Sequence, residues 1–502
     1  MGIKTKILLI NPPITGEIGA GIGTIKTPLG LAYLAGYLEK EGYVVKILDC
    51  LSYYENIQEI KRKKYRVGLP EEDISKKIKD FEPDLVGISC SFTIYEEDSF
   101  RIANLVKTNS KALVVFGGAH SSANPHSVLQ NKNVDLVVRG EGEIVFSEIA
   151  KNLLDKKALN SIPGTILKRK GKIVENKHSQ FIKNLDEIPF PARHLIPMKK
   201  YLKHPKNAIA NMRKPTTEIV TSRGCPFRCI FCSICTVWGR KWRARSAKNV
   251  IDEIEELHKK YGINEFRFFD DNISWDKKRM IAICEEIIQR KLDIKWDTPN
   301  GVAIATLNEE VLRKMKQAGY YRIVMGIESG SKKTLGFMRK PVNLQHAKKI
   351  IKICNKLGIW TWSTFVIGFP NETMEEIQKT IDFAKKSGLN FATFYVAQPY
   401  LGTEMYEIYK KEGLLKKGMK KESSITNTQY DTNYFSAREL QEIQKKAYSE
   451  FIKHRMIRYL NPILFYKEFL NRIKSWEDIN YVFRMIKNLI GQEYSPLYKK
   501  ED

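Results

Sequence analysis

Cysteine is scarce in this chain, eight in 502 residues. So few thiols exclude a small fold stapled by disulfides, and where they cluster in a reducing compartment they point to metal or redox chemistry. Long hydrophobic runs are also missing. Nowhere do about 18 apolar residues follow one another, so no membrane-spanning helix is expected. The early run Ile7–Ile10 is broken at once by Asn11, Pro12 and Pro13, which leaves no secretory signal and an expectation of cytoplasmic location. Acidic residues are short as well, 57 against 84 Lys and Arg, for a net charge of +27. Such an excess invites a nucleic-acid partner. The lysines are spread along the whole length on amphipathic segments, however, as expected of solvated outer faces, so nucleic acid is not expected. An anionic membrane surface or a negatively charged substrate stays open. The remaining composition, 43% hydrophobic and 28% charged, is that of a globular protein long enough for two or three cores.

Short apolar runs alternate with amphipathic segments over residues 4–155: KILLINPP, VVKILD, DLVGISCS, ALVVFGGA and DLVVRGEGE are strands with helical patterns between them. That order predicts an α/β domain with an open, doubly wound parallel sheet. Ligands of such sheets sit beyond the carboxyl ends of the strands. The candidate wall is therefore Asn11–Thr15, Ser89–Thr93, Gly117–Ser121 and Arg139–Glu143. GAGIGT at Gly19–Thr24 has Thr24 in place of a third glycine and stands well past its strand, so it is discounted as a phosphate loop. Residues 156–215 read as a linker, with prolines dense in KNLDEIPFPARHLIP. From 216 to 415 six strand-helix units follow, which predicts a partial (β/α)6 barrel with its site at the carboxyl ends of the strands. Residues 416–502 read as a helical region, apolar at helical spacing with Lys and Arg between, that packs on the barrel or touches lipid.

Four of the eight cysteines fall within eleven residues, in SRGCPFRCIFCSIC (Ser222–Cys235), just after the first barrel strand. Three thiolates spaced C-x3-C-x2-C, Cys225, Cys229 and Cys232, suit three irons of a cubane cluster and leave the fourth iron open. Zinc is the alternative, with Cys235 completing four ligands, but one short loop makes a poor tetrahedral cage. Asp270 and Asp271, and Glu328 and Ser329, stand at strand ends as candidate polar contacts. So does Gly368, which lets backbone approach a ligand closely. Arg243 and Arg245 either hold a carboxylate or fix the loop.

The cysteine spacing, with FFDDNI, MGIESGSKKTL, FVIGFPNET and QPYLGT at successive strand ends, resembles the radical S-adenosylmethionine enzymes. NPP, TPLGLAYLAGYLEKEG, PDLVGIS, GGAH, VVRGEGE and IPFPAR narrow the resemblance to those with an amino-terminal cobalamin-binding domain, a group that includes class B methyltransferases, hopanoid methylases, the anaerobic cyclase of bacteriochlorophyll synthesis and tetraether ring synthases. It covers roughly residues 4 to 415. It implies a [4Fe-4S] cluster on Cys225, Cys229 and Cys232, with Cys235 nearby but not ligating. S-adenosylmethionine would lie against Asp270, Asp271, Glu328, Ser329 and Gly368. Cobalamin would lie against Asn11, Ser89, Gly117, Gly118, His120 and Glu141. It further implies a reductant such as ferredoxin or flavodoxin, a small-molecule or lipid substrate, and a 5′-deoxyadenosyl radical used for C-methylation, or alternatively for cyclisation. Two departures stand out. The D-x-H-x-x-G motif that places an imidazole on cobalt is absent, and Leu401 stands where related sequences commonly have proline.

Overall fold

The structure is a computed structural model and describes residues 5–17, 26–62, 64–204, 211–415 and 428–491. The Gly19–Thr24 segment and both ends of the expected carboxyl-terminal region lie outside the described residues. Two compact units emerge, one from residues up to 207 together with 233–239, the other from 208–232 and 240–493.

In the first unit, strands β1 (Lys6–Asn11), β2 (Val44–Asp49), β3 (Leu85–Ser89), β4 (Leu113–Gly117) and β5 (Leu136–Val138) are mutually parallel, in the order β5-β4-β3-β1-β2. Alternation of side chains makes this sheet two-faced. Leu8, Ile10, Val86, Ile88, Val114 and Phe116 point to one face and meet Ile74, Ile78, Ile102 and Val106 from the helices Glu71–Phe81 and Glu96–Asn109. Ile7, Leu9, Leu85 and Val115 point to the other and meet Leu31, Leu38, Val145 and Ile149 from Leu29–Lys40 and Glu143–Lys151. This is the doubly wound arrangement, and it sends every parallel strand's carboxyl end to one edge.

The expected linker departs from its prediction. Strands β6 (Thr165–Arg169) and β7 (Lys172–Glu175) form a hairpin that extends the sheet antiparallel beyond β5. Thr165, Ile166 and Leu167 are buried, and the turn is tight, with Lys170 and Gly171 both at positive φ. Proline density marked only the stretch after it, where two short 3-10 turns, Leu185–Glu187 and Arg193–Leu195, are the regular structure.

The second unit carries β8 (Thr216–Ile219), β9 (Glu265–Phe268), β10 (Lys295–Val302), β11 (Tyr320–Glu328), β12 (Trp360–Ile367) and β13 (Phe391–Val396), all parallel and hydrogen-bonded in chain order. Every crossover helix begins on a polar N-cap: Ser246, Asp276, Asn308, Asn343 and Thr373. Such caps satisfy orphan backbone donors and set where each loop ends. The helix Ala437–Tyr459 lies along β13, with Gln444 donating to the Phe394 carbonyl at 2.6 Å. At the amino ends of the strands, buried Arg322 donates to Asp297 and to the Tyr481 hydroxyl of the helix Trp476–Gly491.

Candidate active site

The loop after β8 carries the three cysteines, and the side chains around it show why it holds its shape. Asp270, just past β9, is fully buried and accepts from the Thr221 amide (2.7 Å), the Thr221 hydroxyl (2.6 Å) and the Ser222 hydroxyl (2.6 Å). Its carboxylate thus holds the start of the cysteine loop. Asp271 accepts from the Gly224 amide at 3.1 Å, next to Cys225, and burial pushes its carboxyl up to about 7. Arg245 is buried and donates to Glu253, to Asn249 Oδ1 at 2.6 Å and to the Val220 carbonyl at 3.2 Å, so it fixes the loop. Arg243 pairs with Arg223 across a two-stranded ribbon over the same segment.

Cys225 and Cys232 are half-buried and Cys229 is buried, and none is in a disulfide. Burial pushes the Cys225 and Cys229 thiols up, partly offset at Cys225 by Asn272, whose amide reaches its sulfur at 3.9 Å, and at Cys229 by the Lys340 ammonium. Three thiols on one loop beside a cation and an amide donor are the donor chemistry an iron–sulfur cluster takes, although among the described residues no three ligating side chains are already drawn together around a metal-sized space.

Lys340 was not singled out by its sequence, although the basic pair in "FMRKP" precedes a proline. Its Nζ donates to Glu328 Oε1 at 3.1 Å, and the Thr364 hydroxyl donates to Oε2 at 3.2 Å. Burial by itself would lower the Lys340 pKa, but Glu328 and Cys229 outweigh it and hold the ammonium above its ordinary value. Room for this pair comes from Gly326, where a Cβ would sit 2.6 Å from Glu328 Oε1 and 3.0 Å from Lys340 Nζ. Glu328 has φ +67° at a shift in the β11–β12 register, a backbone state costly for a non-glycine residue and frequent at functional sites.

Two other expected contacts are turned elsewhere. The Ser329 hydroxyl is buried against Thr380 Oγ1 at 2.9 Å and accepts from the Ser331 amide at 3.0 Å. Gly368 has φ +79°, its amide donates to Glu372 Oε2 at 2.7 Å, and an added Cβ would strike Leu440 at 2.7 Å. The missing side chain therefore admits a neighbouring helix.

At the carboxyl edge of the first sheet, Asn11 donates to Asp49 Oδ1 at 2.8 Å, and Tyr201 donates to the other oxygen. Ser89 and Ser91 share a hydrogen bond of 3.3 Å. A Cβ on Gly117 would meet nothing within 4 Å, whereas on Gly118, at φ +107°, it would strike the Cys90 carbonyl at 2.7 Å. Glu141 is buried and accepts from the Ile182 amide at 2.9 Å, so it holds the chain after the hairpin. His120 is buried with both ring nitrogens engaged, by Thr93 and Glu96. Cys235 heads the short helix Cys235–Trp238 and, with Arg139 and Glu141, lines a cavity of about 180 Å³ in this unit. An open Gly117, half-buried Ser89, exposed Ser91 and an exposed Phe92 along one edge fit the broad, amide-fringed face of a corrin.

An open parallel sheet and a six-stranded thiol-bearing barrel define an iron–sulfur enzyme with a second ligand domain. The comparisons agree. Residues 219–384 match the radical SAM superfamily and residues 18–150 match the B12 binding domain. An uncharacterized methyltransferase of Pyrococcus horikoshii is 36% identical over 92% of this chain and 94% of its own length. The cytidylyl-2-hydroxyethylphosphonate methyltransferase of Streptomyces wedmorensis is 33% identical over 82% of each chain. Among solved structures, the cobalamin-dependent S-adenosylmethionine radical enzyme OxsB with aqua-cobalamin bound shares the fold, with a TM-score of 0.70 at 18% identity over 98% of this chain and 76% of that one. The chain belongs to the B12-binding radical S-adenosylmethionine enzymes. Its cofactors are a [4Fe-4S] cluster, S-adenosylmethionine and cobalamin.

Proposed function

We propose that this enzyme methylates an unactivated carbon, with Cys225, Cys229 and Cys232 holding the cluster and Glu328 and Lys340 holding the methionyl end of S-adenosylmethionine. The cluster, when bound, supplies the electron that splits S-adenosylmethionine to a 5′-deoxyadenosyl radical, and cobalamin carries the methyl group. The observation that carries the reading is the pair of buried Glu328 and half-buried Lys340 beside the thiols. A zwitterion offers an ammonium and a carboxylate, and a carboxylate and an ammonium already facing each other in a half-dry site are its complement. Asp271 keeps the cysteine loop in register through Gly224.

With a ferredoxin, a flavodoxin or a chemical reductant and the true substrate, the enzyme should form 5′-deoxyadenosine and S-adenosylhomocysteine in comparable amounts, with label from the S-adenosylmethionine methyl in the product. One S-adenosylmethionine is spent as the radical source and a second restores the methyl donor. Deoxyadenosine with neither S-adenosylhomocysteine nor label would sink methyl transfer in favour of cyclisation.

We further infer that the enzyme works against an anionic lipid surface. No helix among the described residues is long and apolar enough to cross a membrane. The carboxyl-terminal helices, however, expose Met456, Ile457, Leu460 (81%), Ile463, Tyr466 and Trp476 (78%), with exposed Lys453, Lys467 and Lys474 among them. Apolar and aromatic side chains fringed by lysine are the composition of an interfacial anchor. The protein should float with phosphatidylglycerol vesicles, not with phosphatidylcholine vesicles, and should be released by high salt. Equal behaviour on both lipids would reject the reading, as would self-association through this face seen by light scattering.

A further inference from the structure

Behind the carboxyl edge of the first sheet lies a buried polar chain that cluster and S-adenosylmethionine chemistry leave unused. His120 Nε2 is 2.9 Å from Glu96 Oε1, with the two side chains 1% and 2% exposed. Ser127 donates to the same carboxylate oxygen at 3.1 Å. On the other side of the ring, His120 Nδ1 is 3.0 Å from Thr93 Oγ1. The loops that carry these groups are locked together: the Cys90 amide donates to the Gly117 carbonyl at 2.8 Å and the His120 amide to the Cys90 carbonyl at 3.2 Å. A side chain at Gly118 would break that lock, because its Cβ would lie 2.7 Å from the Cys90 carbonyl.

The hydrogen bonds set a direction. A carboxylate can only accept, so Nε2 carries the proton toward Glu96, and with Nδ1 unprotonated the Thr93 hydroxyl donates to it. That hydroxyl is thereby held as a donor to the protein, with its lone pairs turned outward. Thr93 is half-buried and follows Phe92, which is 62% exposed, in the loop leaving β3. A hydroxyl so oriented, beside the exposed Phe92 ring, which meets Tyr95 edge-on at 5.8 Å, stands in the part of an open sheet where ligands lie.

Resting on the cobalamin reading above, we propose that Thr93 accepts a hydrogen bond from a side-chain amide of the corrin, and that His120 and Glu96 are positioning residues that orient the Thr93 hydroxyl. The imidazole stands one residue behind the cofactor, held by a threonine that occupies its Nδ1. This accounts for a buried histidine in a cobalamin domain that lacks the D-x-H-x-x-G motif.

The test uses the full-length reconstituted protein, hydroxocobalamin and three readouts: corrinoid retained after desalting, visible circular dichroism of the bound corrinoid, and thermal midpoint. Thr93→Val should lower cobalamin affinity about tenfold, in line with one lost hydrogen bond in a partly buried site, and change the dichroism, while Thr93→Ser restores both. Glu96→Gln should shift the dichroism in the same sense, and Thr93→Val with Glu96→Gln should shift it no further than Thr93→Val alone. Wild-type dichroism and affinity in Thr93→Val would overturn the proposal. Additive effects in the double variant, or effects of Glu96→Gln that only track a lower thermal midpoint, would also overturn it. A wild-type protein that retains no corrinoid would instead defeat the cobalamin reading itself.

Discussion

The two ends of the second sheet both bury charge, but they use it differently. At the amino ends, Asp297 and Arg322 are fully enclosed, and each has a protein partner: Arg322 meets Asp297 and Tyr481, and Asp297 also receives Arg267 at 3.4 Å. Glu265 beside them accepts from Tyr321 at 2.8 Å and the Arg213 amide at 2.5 Å. At the carboxyl ends, Glu328 and Lys340 pair with each other next to three thiols and beside a backbone at positive φ. The floor is closed by side chains from a distant helix, whereas the mouth keeps its charges where a zwitterion can take them. Buried charge alone therefore does not mark a site. Buried charge whose partner a ligand could replace does.

The largest effect should separate the two ends outright. Alanine at Cys225, Cys229 or Cys232 should abolish S-adenosylmethionine cleavage and the visible absorbance of the reconstituted cluster, with the thermal midpoint of the metal-free protein unchanged, and Cys235→Ala should keep both activities. A dispensable cysteine among the three, or an indispensable Cys235, would reassign the ligands. At the floor the outcome should invert. Asp297→Asn leaves Arg322 buried without its counter-charge and should cost about 3–5 kcal/mol of stability, read as a lower denaturation midpoint before any loss of cluster.

Glu265 sharpens the contrast through pH. Burial, helped by the charge of Asp297, pushes its carboxyl up to about 7, against roughly 4.3 in an unfolded chain. Between these values the folded protein holds a proton that the unfolded chain has lost. Stability is thus full below about pH 4.3 and falls as pH rises toward about 7, by roughly 4 kcal/mol in total. Glu265→Gln should flatten that slope in urea titrations across the window. An unchanged slope would mean that the two hydrogen bonds on Glu265 keep it ionised.

The smallest effect should fall at the mouth's ion pair. Lys340→Met should raise the KM for S-adenosylmethionine about tenfold or more while leaving iron content intact, and Lys340→Arg should recover part of it. A loss of iron without a change in KM would make Lys340 a support of the cluster loop instead.

Strand positions, helix alternation and the cysteine spacing were legible from residue pattern, because periodicity and local spacing are properties of neighbouring residues. The hairpin β6–β7 was not. Its strands are short and sit in a stretch read as a connector, and only the pairing of β6 against β5 shows that it completes the sheet. Lys340 was missed for a related reason. A lysine in a chain with 84 Lys and Arg carries no signal until the fold brings it back, twelve positions on, to Glu328.

The sequence by itself determined that three thiols leave one strand end together, that polar groups stand at the others, and that the first domain has no histidine in the cobalt-binding motif. Only the tertiary structure decided what those polar groups face. Asp270, Ser329 and Glu141 are spent on neighbouring backbone or hydroxyls, Gly368 makes room for Leu440, and His120 stands behind Thr93. The physical reason is that a motif fixes which atoms are available at a strand end, whereas hydrogen bonding in a packed interior claims the nearest partner first, and only the group left over can meet a ligand.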